Sequence, residues 1–325
     1  MVDRPRMCPS GCGSYAAEAD VCVVCGGPLV TSLLGVTFET WVPERLLGFG
    51  GSGATVWEAR SYIDGSLVAL KVAPANTAEA QRLRHTATLL AGLYHQNLTN
   101  HLAHGDSADG PWLVMELVRG PTLMSVLQQR GALTLTQSLH VAREVLQALA
   151  FLHGHGLVHR DLKPGNIHLT ANHGAPWTVR LFDFGLATEA TREPRELIDL
   201  TAQPGAYGLI VGTPEYMAPE QVLGHEVDGR ADLYALGVLL YRLVTGHLPY
   251  GPDAVATATS KSNVLTTTRR HELYLSHLRE PPRAPRPPGN EPLPQDLVRA
   301  LAMALAKQPR QRVATAEAFL AALSS

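Results

Sequence analysis

Lysine is scarce in this chain. Only Lys71, Lys163, Lys261 and Lys307 occur among 325 residues, and arginine supplies the rest of the 27 basic side chains. Cysteine is missing after residue 25. No run of about 18 apolar residues is present, so no transmembrane helix is expected. The opening residues, MVDRPRMCPSG, lack the apolar core of a signal peptide, and a cytoplasmic location is expected. A net charge of −2 gives nucleic acid and anionic membranes little electrostatic reason to bind. From Ala80 to Gly105 there is no Asp or Glu, although Arg82, Arg84 and four histidines lie in that span. Mixed charge and Glu–Lys pairs ordinarily support a solvated helix face. The segment QRLRHTATLLAGLYHQNL (81–98) nevertheless reads as an amphipathic helix running into a polar turn, with Leu83, Ala87, Leu90, Ala91 and Tyr94 on one face.

What the chain does contain is typical of a globular protein. Hydrophobic residues make up 45% and charged residues 17%, and the length suits two domains or one large bilobal unit. The four cysteines fall within CPSGCGSYAAEADVCVVCGG. Three residues separate Cys8 from Cys12, two separate Cys22 from Cys25, and each pair ends in a glycine. Two disulfides or four free thiols are alternatives, but disulfides are disfavoured in a chain with no export signal. A segment this small also needs a staple to hold a fold. A tetrahedral Cys₄ zinc site satisfies both conditions, with the glycines letting backbone N–H groups face the sulfurs. Residues 1–30 resemble the short zinc ribbons found at the ends of many bacterial proteins. Four thiolates leave no open coordination position, so Zn²⁺ there is structural, and the ribbon is a candidate surface for a protein partner.

Beyond it, LLGFGGSGATVWEA (46–59) contains Gly48, Gly50 and Gly53 in a G-x-G-x-x-G pattern. The pattern alone is weak, since dinucleotide folds and surface loops share it. Here Ala54–Ala59 is β-prone rather than helical, which argues against a Rossmann turn. The next strand, SLVALKVAP (66–74), places Lys71 eighteen residues beyond Gly53. By itself Lys71 is as readily a solvated strand lysine. Three further strings then follow in order: VHRDLKPGNI (158–167), LFDFGLA (181–187) and GTPEYMAPE (212–220).

With these motifs the chain resembles the bacterial eukaryotic-like (Hanks-type) Ser/Thr protein kinases over about residues 40–325. The resemblance implies an α+β, bilobal protein-kinase-like fold preceded by the ribbon. A small β-rich N-lobe with one main helix would cover about 40–117, and a larger helical C-lobe about 118–325, within a kinase domain of 31–325. It implies phosphoryl transfer from ATP with Mg²⁺ or Mn²⁺ to protein Ser/Thr hydroxyls. Asp161 would accept or orient the proton of the substrate hydroxyl, Lys163 would touch the γ-phosphate, and Asn166 and Asp183 would hold Mg²⁺. Gly48, Gly50 and Gly53 would cover the phosphates that Lys71 contacts. Val56 and Ala69 would sandwich adenine. Met115 would be the gatekeeper, and the backbone of Glu116 and Val118 would hydrogen-bond the base. Asp232 would hold the catalytic-loop backbone, and Glu220 with Arg312 would form a buried salt bridge. Thr188, Thr191, Thr201 and Thr213 are candidate phospho-acceptors in the 38-residue segment from Asp183 to Glu220. The proline-rich PPRAPRPPGNEPLP (281–294) reads as an internal loop of the larger lobe, with an SH3-type ligand as the alternative.

One departure stands out. Nine residues before His95, where the family carries the glutamate that pairs with the strand lysine, this chain has Thr86. Glu79, the only acid between Lys71 and Asp106, lies seven residues earlier, about 10 Å along a helix. Three arrangements compete: Glu79 holds Lys71 after an unusual helix shift, Asp183 and the phosphates alone orient Lys71, or the active arrangement never forms; the second is the one expected. The missing acid also admits a pseudokinase, a nucleotide-binding scaffold that signals through partners. A small-molecule phosphotransferase is a third reading, which GTPEYMAPE, as a peptide-substrate platform, argues against.

Overall fold

The computed structural model describes residues 4–10, 12–16, 19, 21–49, 53–170, 176–184, 187–189, 213–251, 267–289 and 291–323. The chain divides into two compact units, one of residues 1–94 and 99–118 and the other of 95–98 and 119–325.

The first unit begins with β1 (Arg6–Met7), β2 (Ser14–Tyr15) and β3 (Val30–Thr31), a small antiparallel sheet in the order β2-β1-β3. It continues with β4 (Trp41–Phe49), β5 (Thr55–Ser61), β6 (Leu67–Val72), α1 (Ala78–Leu90), β7 (His101–Ser107) and β8 (Gly110–Glu116). The five longer strands form one antiparallel sheet, β4-β5-β6-β8-β7. Alternation along its strands gives this sheet two apolar faces. Trp57, Ala59, Val68, Leu70, Val72, Trp112 and Val114 point to one face. They form a core with Leu33 and Phe38, against which Met7 and Val36 from the cysteine-bearing end of the chain pack. Leu113 lies on the other face, where it joins Ala54, Ala73 and the Ala80, Leu83 and Ala87 stripe of α1.

Thr77 caps α1, its hydroxyl accepting from Ala80 N at 3.1 Å. The helix ends at Leu90, and Gly92 (φ +77°) turns the chain away. Leu83, Ala87 and Leu90 are buried as the periodicity implies, but Ala91 and Tyr94 lie past the helix end and are exposed.

The second unit is mainly helical. It contains α2 (Leu123–Arg130), α3 (Leu135–Gly154), β9 (Leu157–Val158), β10 (Ile167–Thr170), β11 (Thr178–Leu181), β12 (Thr188–Glu189), α4 (Pro219–Val222), α5 (Gly229–Thr245), α6 (Thr267–Arg279), α7 (Gln295–Ala304) and α8 (Ala316–Ala322). A capping box of Thr134 and Gln137 starts α3. The α3 side chains Val141, Val145, Leu146, Leu149 and Leu152 are buried at three- and four-residue spacing. Asp228 caps α5, which is buried nearly all round, as its apolar sequence requires. The proline-rich run joins α6 to α7 inside this unit, without helix or strand among its described residues. Among the described residues no helix is long and apolar enough to cross a membrane.

Residues 95–98, the HQNL turn after α1, belong to the second unit. Asn97 is fully buried there, donating to Glu144 Oε2 at 2.7 Å and to Val179 O at 3.1 Å. Its own carbonyl accepts from Leu181 N at 2.8 Å.

Candidate active site

In the second unit the centre is Asp161, on the loop between β9 and β10. Its Oδ2 accepts from Lys163 Nζ at 2.6 Å and from Asn166 Nδ2 at 3.2 Å. Its Oδ1 accepts from the Thr213 hydroxyl at 2.9 Å, and Lys163 Nζ also reaches that hydroxyl at 3.0 Å. Asn166 Nδ2 bonds the Asp161 carbonyl as well, at 2.9 Å, which turns the amide oxygen the other way. Phe182 N donates to the Asn166 carbonyl at 3.0 Å, so Asp183 follows directly on a strand end tied to this loop.

The loop is held in an uncommon shape. Arg160 (φ +65°) and Asp183 (φ +59°) both adopt the left-handed conformation that L side chains rarely take. Asp232 at the start of α5 compensates: its carboxylate accepts from the backbone N–H groups of His159 and Arg160, each at 2.9 Å, and from His153 Nε2 at 2.9 Å. Burial pushes this carboxyl up, but hydrogen bonds and charge from His153, His159 and the backbone outweigh it and leave the group below its usual range. The expected holding role of Asp232 is met. His159, itself buried, packs against Phe184 with the rings tilted and their centroids 5.0 Å apart. Glu220 and Arg312 form the expected buried pair, bidentate at 2.5 and 2.7 Å. Arg312 also donates to the carbonyls of Ala306, Lys307 and Arg230.

In the first unit Val56, Ala69, Lys71 and Met115 share the sheet face that carries α1. Cross-strand register places Gly48 opposite Val56, Val56 opposite Lys71, and Lys71 opposite Leu113. Ala69 faces Met115 in the same way, and Met115 packs against the α1 cluster. Gly53 has φ +88°, and a Cβ there would sit 3.2 Å from the Pro74 ring, so the position suits glycine. Gly50 lies outside the described residues, as do Thr191 and Thr201 and the Thr188 side chain. Glu116 uses its N–H on Asn100 O at 2.9 Å and its carboxylate on Asn100 Nδ2 at 3.0 Å.

Lys71 departs from the sequence expectation. Its Nζ lies 3.9 Å from Glu79 Oε1, with the two side chains only 14% and 11% exposed. Glu79 also accepts from Arg82 at 3.1 Å. The reason is packing. Thr86, the position aligned with the family glutamate, lies on the buried face of α1 at 3% exposure, two helical turns beyond Glu79. Glu79 in the first turn faces the strand lysine instead. Its isolation as the only acid between Lys71 and Asp106 was the sequence signal for this role. The Thr213 contact with Asp161 was not legible from spacing, because the two residues lie 52 apart.

The four cysteines also converge. Their Sγ atoms all lie within 4.8 Å of one another, with Cys8 and Cys25 at 3.5 Å. Tetrahedral zinc at 2.3 Å from each sulfur requires edges of about 3.8 Å, so this donor set fits the ion. Cys8 and Cys22 are buried and Cys25 is exposed. The Tyr15 hydroxyl, 3.0 Å from Cys22 Sγ, and backbone N–H groups of Cys25 and Val24 pull the Cys22 thiol down to about 6. The hydrogen bond with Cys8 pushes Cys12 up to about 12. Backbone N–H groups turned toward sulfur favour thiolate, the form a metal takes.

Comparison with known proteins bears on this arrangement. The protein kinase domain profile matches residues 41–322. The serine/threonine-protein kinase Pkn1 of Myxococcus xanthus is 36% identical over 297 residues, covering 90% of this chain and 39% of the relative. The M. xanthus kinase pkn3 is 34% identical over 87% of this chain and 49% of its own length. The serine/threonine-protein kinase PknA of Mycobacterium tuberculosis is 34% identical over 87% of this chain and 60% of the relative. The chain thus spans about half the length of the curated relatives it matches.

Proposed function

Since the chain belongs to the protein kinase family, we propose that it is an ATP- and Mg²⁺-dependent protein Ser/Thr kinase. The observation that carries this reading is the hydroxyl-binding geometry at Asp161. One carboxylate oxygen already accepts from an aliphatic hydroxyl, that of Thr213, while Lys163 and Asn166 fix the other. A substrate serine or threonine hydroxyl would make the same contact, and Asp161 would take up its proton as the oxygen attacks. Lys163 Nζ, shared between Asp161 and Thr213, supplies a positive charge beside the point of transfer.

Asn166 and Asp183 fit Mg²⁺ by the chemistry of their donors, an amide oxygen turned away from Asp161 and a carboxylate, both hard oxygen ligands. When bound there, Mg²⁺ neutralises phosphate charge. Lys71, held by Glu79, would contact the phosphates beneath Gly48, Gly50 and Gly53, and Val56, Ala69 and Met115 would supply the apolar surface for adenine. The backbone carbonyl of Glu116 and the backbone of Val118 would bind its edge. The acid-poor helix was the ground for an inert nucleotide-binding scaffold, and the Lys71–Glu79 pair supports the catalytic reading instead. For residues 1–30 we propose a Zn²⁺ ribbon held by Cys8, Cys12, Cys22 and Cys25, supported by the convergence of their sulfurs.

Incorporation of labelled phosphate from ATP into the protein itself or a generic protein substrate tests the assignment. Wild type is expected to label with Mg²⁺ or Mn²⁺, and Asp161→Ala and Asp183→Ala are expected not to. Equal silence of all three proteins would defeat the kinase reading.

A further inference from the structure

The cysteine-bearing end and the nucleotide-contacting end of the first unit are linked by an ion pair that phosphoryl transfer does not itself require. Arg4 Nη1 donates to Asp109 Oδ1 at 2.6 Å, with the two side chains 24% and 23% exposed. On one side, Arg4 is held by the ribbon's own structure. Pro5 O accepts from Ser32 N at 2.9 Å, and Arg6 donates to Leu29 O at 3.0 Å. Met7 enters the core shared with the five-stranded sheet, and Cys8, the first thiol of the tetrad, follows it. Closing the tetrad therefore fixes the short strand β1, which begins two residues after Arg4.

On the other side, Asp109 sits in the β7–β8 turn, and that turn grips the linker between β6 and α1. Asp109 O accepts from Ala75 N at 3.1 Å, and Pro111 O accepts from Ala73 N at 3.1 Å. Gly110 packs so closely that a Cβ would lie 2.1 Å from Ala73 O, which only glycine permits at its φ of +125°. Two residues past Ala75, Thr77 closes the start of α1, its hydroxyl donating to Pro74 O at 2.7 Å. Glu79 lies in the first turn of that helix.

We propose that Arg4 and Asp109 are positioning residues for Lys71. Through them the folded cysteine tetrad sets the first turn of α1, and with it the Glu79 carboxylate that holds the lysine. This rests on the reading of Lys71 as a phosphate contact. It makes the ribbon an input to nucleotide affinity: opening the tetrad loosens Glu79 without altering any residue that touches ATP.

The test uses the full chain as wild type, Arg4→Glu, Asp109→Arg and the double swap. Two quantities are read: hydrogen exchange of the Ala80–Leu83 amides, and kcat and KM for ATP. Each single variant is expected to speed exchange and raise KM about fivefold with kcat little changed, the scale of one partly exposed ion pair. The double swap is expected to restore both, because it rebuilds the pair with its polarity reversed. Stripping metal from wild type with a chelator should reproduce the single-variant behaviour and add little to Asp109→Arg. Unchanged exchange in the single variants would overturn the proposal. So would faster exchange that the swap does not restore, which marks a merely structural loss. A chelator effect that is absent, or undiminished in Asp109→Arg, would break the link to the tetrad. A wild-type chain that transfers no phosphate defeats the kinase reading alone, since exchange in α1 still decides this inference.

Discussion

Glu79→Gln removes the charge that faces Lys71 while keeping the side chain's size. At 3.9 Å a pair of unit charges in a partly covered site, with an effective dielectric of about 20, interacts by about 4 kcal/mol. Arg82 draws on the same carboxylate at 3.1 Å, so roughly half of that acts on Lys71, about 2 kcal/mol by the same estimate. If this orients Lys71 in the transition state, kcat/KM for ATP should fall about 30-fold, at 1.36 kcal/mol per factor of ten. Initial rates of labelled-phosphate transfer over a range of ATP concentrations measure it. Thr86→Glu is the companion variant. That position is 3% exposed and packed toward the sheet, so an acid there is expected to lower the melting temperature and bring no gain in rate. Glu79→Gln within about twofold of wild type, together with a faster Thr86→Glu, would show that α1 works in another register and refute the pairing.

Other consequences can be measured separately. Burial, with the charge of Lys307 adding to it, lowers the pKa of His277 to about 3, against 6.5 for the free side chain. Its neutral form accepts or shares the Tyr234 hydroxyl at 2.8 Å, beside the Tyr250 ring. Because the folded pKa lies below the unfolded one, this stability is complete above about pH 6.5 and is lost as pH falls toward 3. Between pH 7 and 5 the loss should be about 2 kcal/mol in denaturant titrations, and His277→Gln should remove that slope; equal slopes for both proteins would count against it. Glu220→Gln leaves the fully covered Arg312 side chain without its carboxylate and should destabilise by about 3–5 kcal/mol by chemical denaturation, a loss under about 1 being incompatible with a buried pair. Cys8→Ser should lower bound zinc from one equivalent to below about half by metal analysis; undiminished zinc would remove Cys8 from the ligand set.

Much of the arrangement around Asp161 was legible in the sequence, because its residues are neighbours in the chain. Asp161, Lys163 and Asn166 fall within six residues, and a loop that short brings them together by local geometry alone. The thiol tetrad was legible for the same reason, as two close pairs each ending in glycine. What spacing could not supply was any relation that depends on how an element packs.

Sequence alone therefore determined the chemistry on offer: the loop with its base, lysine and amide, the strand lysine, the glycine turn, and the four thiols. Tertiary structure decided which acid serves Lys71. Counting along the chain pointed to Thr86, but residues seven apart lie two turns along one helix face, so rotation does not separate Glu79 from Thr86; the position of α1 along its axis does, and it sets Glu79 beside the lysine. Tertiary structure also decided that the cysteine-bearing end shares a core with the five-stranded sheet through Met7, Leu33 and Phe38. These apolar side chains carry no spacing signal across the turns between them. Only burial against a common sheet face brings them together, and burial is a property of the folded chain.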